Sequence, residues 1–192
     1  MRIFILGFVF IFSSLYAFGH NPLSARYHLK AGEQASLLTI NLSQDGVNHL
    51  FLKKYGAEKF AIIHQNEFKE WIVDYIKSNF NLSIDNKEIV LKKGGIKLGS
   101  HQTDLKFILP PLPQKIQNIQ LHLPAFKENV DHQTIFSYTI YGKKDKVILS
   151  ASNNFQAEIQ VVSQNTTNQW IGMLGGLMML VSSFLFFKRK WF

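Results

Sequence analysis

Two uncharged apolar runs, Ile3–Phe18 and Trp170–Phe187, close this chain at its two ends and leave residues 20–169 between them to fold in water. The first follows Arg2 and ends in small residues, the pattern of an export signal with a basic start, an apolar centre and a cleavage site. Two cuts fit, one after Ala17 and one after Gly19; the second is favoured and makes His20 the new N-terminus. The second run is 18 residues long, enough to span a hydrocarbon core. Lys188, Arg189 and Lys190 follow it, and the excess of cations on the cytoplasmic side of membrane helices places them inside. Trp170 and Trp191 flank the span. The expected order is a signal peptide over 1–19, an extracytoplasmic domain over 20–162, a polar stalk over 163–169 (SQNTTNQ), a transmembrane helix over 170–187 and a cytoplasmic tail over 188–192. The chain is thus expected at the cell membrane as a single-pass protein, on the periplasmic face in a Gram-negative cell. Gly172 and Gly176 form a GxxxG pair on this helix, a close-packing face for a homodimer.

Charge and cysteine content narrow the function classes. The net charge of +8 includes four cations in the terminal segments, so residues 20–169 hold 17 Lys and Arg against 13 Asp and Glu. A mildly basic surface with its lysines dispersed along the sequence reads as solubility, not nucleic-acid binding. With no Cys, disulfides, thiolate metal sites and Cys nucleophiles are all absent. A domain of this length buries enough apolar surface to fold without such staples.

The middle of the chain reads as one β-rich domain. Leu23–Lys30 and Ser36–Leu42 alternate about a turn at Ala31–Glu33, a hairpin. Val47–Tyr55 and Glu67–Phe80 carry helical spacing, the first stopped by Gly56 and the second capped by Asn66. Strands return at Leu82–Ile84 and Ile89–Leu91 around Asp85–Asn86, then at Lys97–Gly99, Asp104–Leu109, Ile116–Leu123, Thr134–Tyr141, Lys146–Leu149 and Ala157–Val162. Gly94–Gly95 reads as a turn. These short strands with one helical insertion predict an α+β, β-sandwich-like domain.

Histidine is the side chain with most site potential. No HExxH pair, GxSxG elbow, phosphate-binding glycine loop or glycosidase-like carboxylate pair occurs, so the expectation is a domain without catalysis. An N-terminal His20 offers an amine and an imidazole as adjacent nitrogen ligands, and copper suits such a set. His28 on the first strand adds a third nitrogen. His–Gln–Thr occurs at 101–103 and again at 132–134, each time entering a strand, so His101 and His132 converge if those strands start at one end. Asn41, Asn81 and Asn165 open N-x-[ST] patterns, which matter only in a eukaryotic secretory pathway.

The segment His20–Asn21–Pro22–Leu23–Ser24–Ala25–Arg26–Tyr27–His28 resembles the opening of exported bacterial domains that begin Ala-His-Pro. These include an uncharacterised membrane-associated family and the extracytoplasmic module preceding the membrane helices of HupE/UreJ-type proteins. The order of features agrees over most of residues 20–162: a strand pair, an amphipathic segment at Gln44–Tyr55, a helix ending in Asp74–Tyr75–Ile76, a His132 strand entry and a closing Lys146–Leu149 strand. The resemblance carries no catalytic motif. It implies proximity to nickel or cobalt handling, although one C-terminal helix is not a permease. The expected function is a membrane-anchored extracytoplasmic binding or accessory domain that contacts a membrane-protein or envelope partner. The alternative is a copper, nickel or zinc accessory protein using His20, His28, His101 and His132.

Overall fold

The computed structural model describes residues 24–161, and every element in it belongs to one compact unit that ends at Gln160. The expected signal segment, His20, the expected stalk and the Trp170–Phe187 run lie outside the described residues. Among the described residues no helix is long and apolar enough to cross a membrane.

The domain is α+β and mostly strand. A six-stranded sheet runs in the order β5-β6-β2-β1-β8-β9. Its strands are β1 (Ala25–Lys30), β2 (Ser36–Ser43), β5 (Gly94–Leu98), β6 (Gln102–Leu109), β8 (Thr134–Ile140) and β9 (Lys143–Leu149). A four-stranded sheet runs β10-β7-β3-β4, with β3 at Asn81–Ile84, β4 at Lys87–Glu88, β7 at Asn118–His122 and β10 at Gln156–Gln160. Three helices sit between β2 and β3: α1 (Gln44–Tyr55), α2 (Ala57–Ile62) and α3 (Gln65–Ser78).

Alternation decides which face of each strand is buried. Tyr27, Ile40, Leu105 and Phe136 lie in one buried row across the large sheet, and Leu29, Leu38, Phe107 and Tyr138 in the next. The small sheet contributes Leu82, Ile84, Ile119 and Leu121, and the helices Val47, Phe51, Ile72 and Ile76. The aromatic residues among them bury about 150–250 Å² apiece.

Local chemistry fixes the connections. Ser43 caps α1 by accepting from the Gly46 amide at 3.3 Å, and Gly56 stops it at φ 82° while its N–H donates to the Leu52 carbonyl at 2.9 Å. Asp85 and Asn86 (φ 48° and 62°) and Tyr141 and Gly142 (φ 47° and 82°) both take the left-handed pair that two-residue hairpins require. The Asp85–Asn86 turn falls where the sequence predicts one, and the second turn, at Tyr141–Gly142, joins β8 to β9.

Several boundaries differ from the sequence expectation. α1 begins at Gln44 because the Ser43 cap draws Asp45 and Gly46 into the first turn. α3 begins at Gln65 with His64, not Asn66, at its N-cap. The expected strand Ile89–Leu91 is replaced by the two-residue β4, and Gly94–Gly95 opens a strand instead of forming a turn. α2 was not expected. β1 pairs with β8 in parallel, while every other pairing is antiparallel.

Candidate functional site

The face of the large sheet turned away from the core gathers the domain's net positive charge. One row runs Lys97, Asp104, Asn41, Arg26, Ile135, Ile148 across all six strands. The next runs Gly95, Lys106, Thr39, His28, Ser137, Lys146, and a third Ile108, Leu37, Lys30, Thr139, Lys144. Arg26, Lys30, Lys97, Lys106, Lys144 and Lys146 are all exposed. Asp104 is the one carboxylate in these rows, and it is occupied by side-chain amides of Asn41, at 2.7 Å, and Gln102. The face therefore carries six cations against one anion. The domain as a whole has 17 against 13, which leaves eleven cations and twelve carboxylates elsewhere. All of the net positive charge of the domain sits on this sheet face.

Edge protection accounts for part of this pattern only. Lysines on edge strands discourage pairing with another chain, which covers Lys97 on β5 and Lys144 and Lys146 on β9. Arg26 and Lys30 on β1 and Lys106 on β6 lie on strands paired on both sides, where no edge needs protection. Aliphatic side chains interleave with the cations, and Ile108 and Ile148 are 61% and 50% exposed.

The small sheet has the opposite character. Its outer face forms a groove of about 550 Å³ lined by Asn81, Ser83, Gln120, His122 and the carboxylates of Glu88 and Glu158. Glu158 accepts from Asn118 at 2.8 Å and from Gln160 at 2.9 Å.

The expected histidines fall in three different environments. His28 stands half-buried in the middle of the cationic face, its Nδ1 2.9 Å from the Ser137 hydroxyl. That hydroxyl donates its own proton to the Tyr27 carbonyl at 3.1 Å, so Nδ1 donates to Ser137 Oγ, and no described residue hydrogen-bonds Nε2. The same wiring turns the Ser137 proton away from the imidazole, the reverse of what a general base acting on a nucleophile needs. His132 is buried at 4% exposure between the rings of Phe126 and Phe155, with Nε2 3.1 Å from Thr134 Oγ1. His101 is exposed, and its carbonyl accepts from the Gln44 amide at 3.1 Å.

β6 and β8 do start at the same end of the sheet, since β6 and β1 both run antiparallel to β2 and β8 runs parallel to β1. Thr103 and Thr134, the third residue of each His–Gln–Thr, even share one row. But β2 and β1 lie between them, a separation of three strand spacings or about 14 Å. No group of three or more His, Cys, Asp or Glu able to hold a metal ion occurs among the described residues.

Hydroxyls in the core are held neutral. Burial pushes the Tyr27 and Tyr75 phenols well above the ordinary 10.0. Burial also raises Tyr138, helped by Asp145. Tyr75 acts as a structural donor and acceptor: it donates to Glu128 at 2.9 Å and accepts from the buried Phe126 amide at 2.8 Å.

Reading the sequence alone missed the cationic face. Within each strand the signal is present as parity, since Arg26 and Lys30, or Lys144 and Lys146, are two or four residues apart. Which strands lie side by side depends on long-range pairing that parity does not encode. No family model matches the chain, and no curated protein matches it.

Proposed function

We propose that this protein is a single-pass, membrane-anchored extracytoplasmic binding domain, without catalysis, that works by contacting an envelope component. The anchor is the apolar run 170–187, and the working part is the β-sandwich-like domain over 20–162. The observation that carries the reading is the open, cationic face of the six-stranded sheet, with Arg26, Lys30 and Lys106 on strands that need no edge protection. A charged face of this kind steers and orients an anionic partner. The resemblance of the His20–His28 segment to the extracytoplasmic module of HupE/UreJ-type proteins supports the same placement.

The Cys-free sequence makes the test clean. Single cysteines at Ser78 and at Lys190 are labelled with a membrane-impermeant maleimide in intact cells. The reading expects Ser78→Cys to react from outside and Lys190→Cys only after the membrane is opened. A photo-crosslinker at Thr39 or Ile135 is expected to capture an envelope component that one at Lys77 on α3 does not. Equal capture from both positions removes the sheet face as the binding surface.

A second reading rests on one observation, the open Nε2 of His28 at the N-terminal strand. A mature N-terminus at His20 adds two nitrogens, and together they form a nitrogen-rich copper, nickel or zinc site. Native mass spectrometry of the exported chain tests it: one retained ion, lost in both His20→Ala and His28→Ala, is the expected result. A metal-free mass after incubation with each ion ends it.

A further inference from the structure

We infer that the outer face of the six-stranded sheet lies against an anionic phospholipid bilayer surface. This rests on the reading that 170–187 anchors the chain, and it adds a partner to that reading.

Three observations favour a lipid surface. First, the charge is complementary: six exposed cations stand against Asp104 alone, while the rest of the domain is close to neutral. Second, the face is broad and its exposed groups are mixed. Six strands at about 4.8 Å make it roughly 24 Å wide, and Ile108 and Ile148 stand in it with half or more of their surface in solvent. A soluble polyanion uses the charge and leaves these aliphatic groups in water. A bilayer takes the cations at its headgroups and the aliphatic groups at the acyl boundary. Third, the tether is short. Nine residues separate Gln160, where β10 ends, from Trp170, where the apolar run begins. Fully extended they reach at most about 30 Å. A domain tethered so closely meets the headgroups at high effective concentration, so contacts that are weak one by one suffice to orient it.

The opposite character of the two sheets gives the orientation a direction. The acidic, amide-lined groove of the small sheet carries Glu88 and Glu158 on its outer face, and an anionic surface repels it. The cationic face down and the groove outward is the arrangement both charges favour.

The test uses the full chain reconstituted in two kinds of vesicle, neutral phosphatidylcholine and the same lipid enriched in phosphatidylglycerol. Flotation with the neutral vesicles after an alkaline wash reports the anchor alone. If the chain stays in solution the anchor reading fails, and the face is then tested by adding the chain to both vesicles from outside.

Accessibility of each lysine to an amine-acylating reagent, read by mass spectrometry, reports the face. On anionic vesicles Lys30, Lys106, Lys144 and Lys146 should be acylated several-fold more slowly than on neutral ones, and high salt should abolish the difference. Lys53, Lys69 and Lys77 on the helices should not change. The triple variant Arg26→Gln/Lys30→Gln/Lys106→Gln should lose the protection of Lys144 and Lys146, because each cation removed weakens association with the anionic surface roughly fivefold. The matched variant Lys53→Gln/Lys69→Gln/Lys77→Gln should keep it. Identical acylation on the two vesicles overturns the proposal. So does stronger protection by soluble polyphosphate than by the anionic bilayer, which would make the face a receptor for a free polyanion.

Discussion

Tyr27 stacks on Phe80 with ring centroids 6.4 Å apart and carries its hydroxyl into the core, where no described residue hydrogen-bonds to it. The ring is worth keeping and the hydroxyl is not. An unpartnered buried hydroxyl costs about 1–3 kcal/mol of desolvation that no bond returns. Tyr27→Phe is therefore expected to leave stability unchanged or raise it by about 1 kcal/mol. Tyr27→Ala, which empties the site, should cost about 3–5 kcal/mol. Urea unfolding of the two variants checks the pair, and a large loss in Tyr27→Phe would mean that the hydroxyl is bonded in solution.

Burial of the same ring makes stability depend on alkaline pH. Tyr27 and Tyr75 are both held above their ordinary 10.0 by burial, so the folded state keeps protons that the unfolded chain releases as pH rises. The stabilisation is fully present below about pH 10 and is lost as pH climbs beyond it. Melting temperature should fall steeply above about pH 10, and Tyr27→Phe combined with Tyr75→Phe should flatten that fall. An equally steep fall in the double variant would assign the alkaline loss to other groups.

Tyr75 ties a long loop to the helices. Besides its bonds to Glu128 and the Phe126 amide, its ring meets that of Phe126 edge-on at 5.3 Å. Asn129 extends the tie by donating to the Gly46 carbonyl at 3.1 Å. Tyr75→Phe leaves the Phe126 N–H buried without an acceptor, at an expected cost of about 1–3 kcal/mol. Glu128→Gln keeps an acceptor oxygen for the Tyr75 hydroxyl and removes only an exposed charge, so it should cost less than about 1 kcal/mol. Hydrogen exchange at Phe126 separates the two: it should accelerate in Tyr75→Phe and hold in Glu128→Gln.

Gly94 shows where sequence reasoning stops. A glycine pair between two strands is ordinary turn chemistry, and nothing local says otherwise. In the fold Gly94 lies flat against β6, where an added Cβ would come within 2.6 Å of both the Lys106 carbonyl oxygen and Phe107 Cδ1. The glycine is needed for close approach to a strand whose position the local sequence does not give. The same limit hid the parallel β1–β8 pairing and the assembly of the cationic face, because both depend on which distant strands become neighbours. What was legible was local: the alternation of Ala25, Tyr27 and Leu29, the Asp85–Asn86 turn, and the apolar stripe of Phe68, Ile72, Tyr75 and Ile76. α2 was invisible because its six residues bury nothing and so leave no period to read. Gly94→Ala should cost about 1–3 kcal/mol, while Gly95→Ala, with nothing within 4 Å of an added Cβ, should be nearly neutral. Similar losses at the two positions would show that β5 does not press on Phe107.

Trp71 supports α2, which buries none of its own residues, directly through Lys59 and indirectly through Tyr55, the last residue of α1. Its ring lies 4.0 Å from that of Tyr55, and the Lys59 ammonium sits 5.0 Å from the Trp71 centroid and 5.1 Å from that of Tyr55. Phe60 makes the other contact, edge-on to Phe68 at 5.6 Å. A cation over an aromatic face contributes only about 0.5–1 kcal/mol at an exposed site, so Lys59→Met should loosen α2 slightly. Trp71→Ala removes the platform under both the lysine and Tyr55. Amide exchange across Ala57–Ile62 should then approach the rate of an unstructured chain, because helices this short are not stable alone. The strands should keep their protection, since Trp71 contributes nothing to the two sheet rows that bury Tyr27 and Leu29. Trp71→Phe retains a ring against Tyr55 and should fall between the two. Unchanged exchange over α2 in Trp71→Ala would place its support on Phe60 and Phe68 instead.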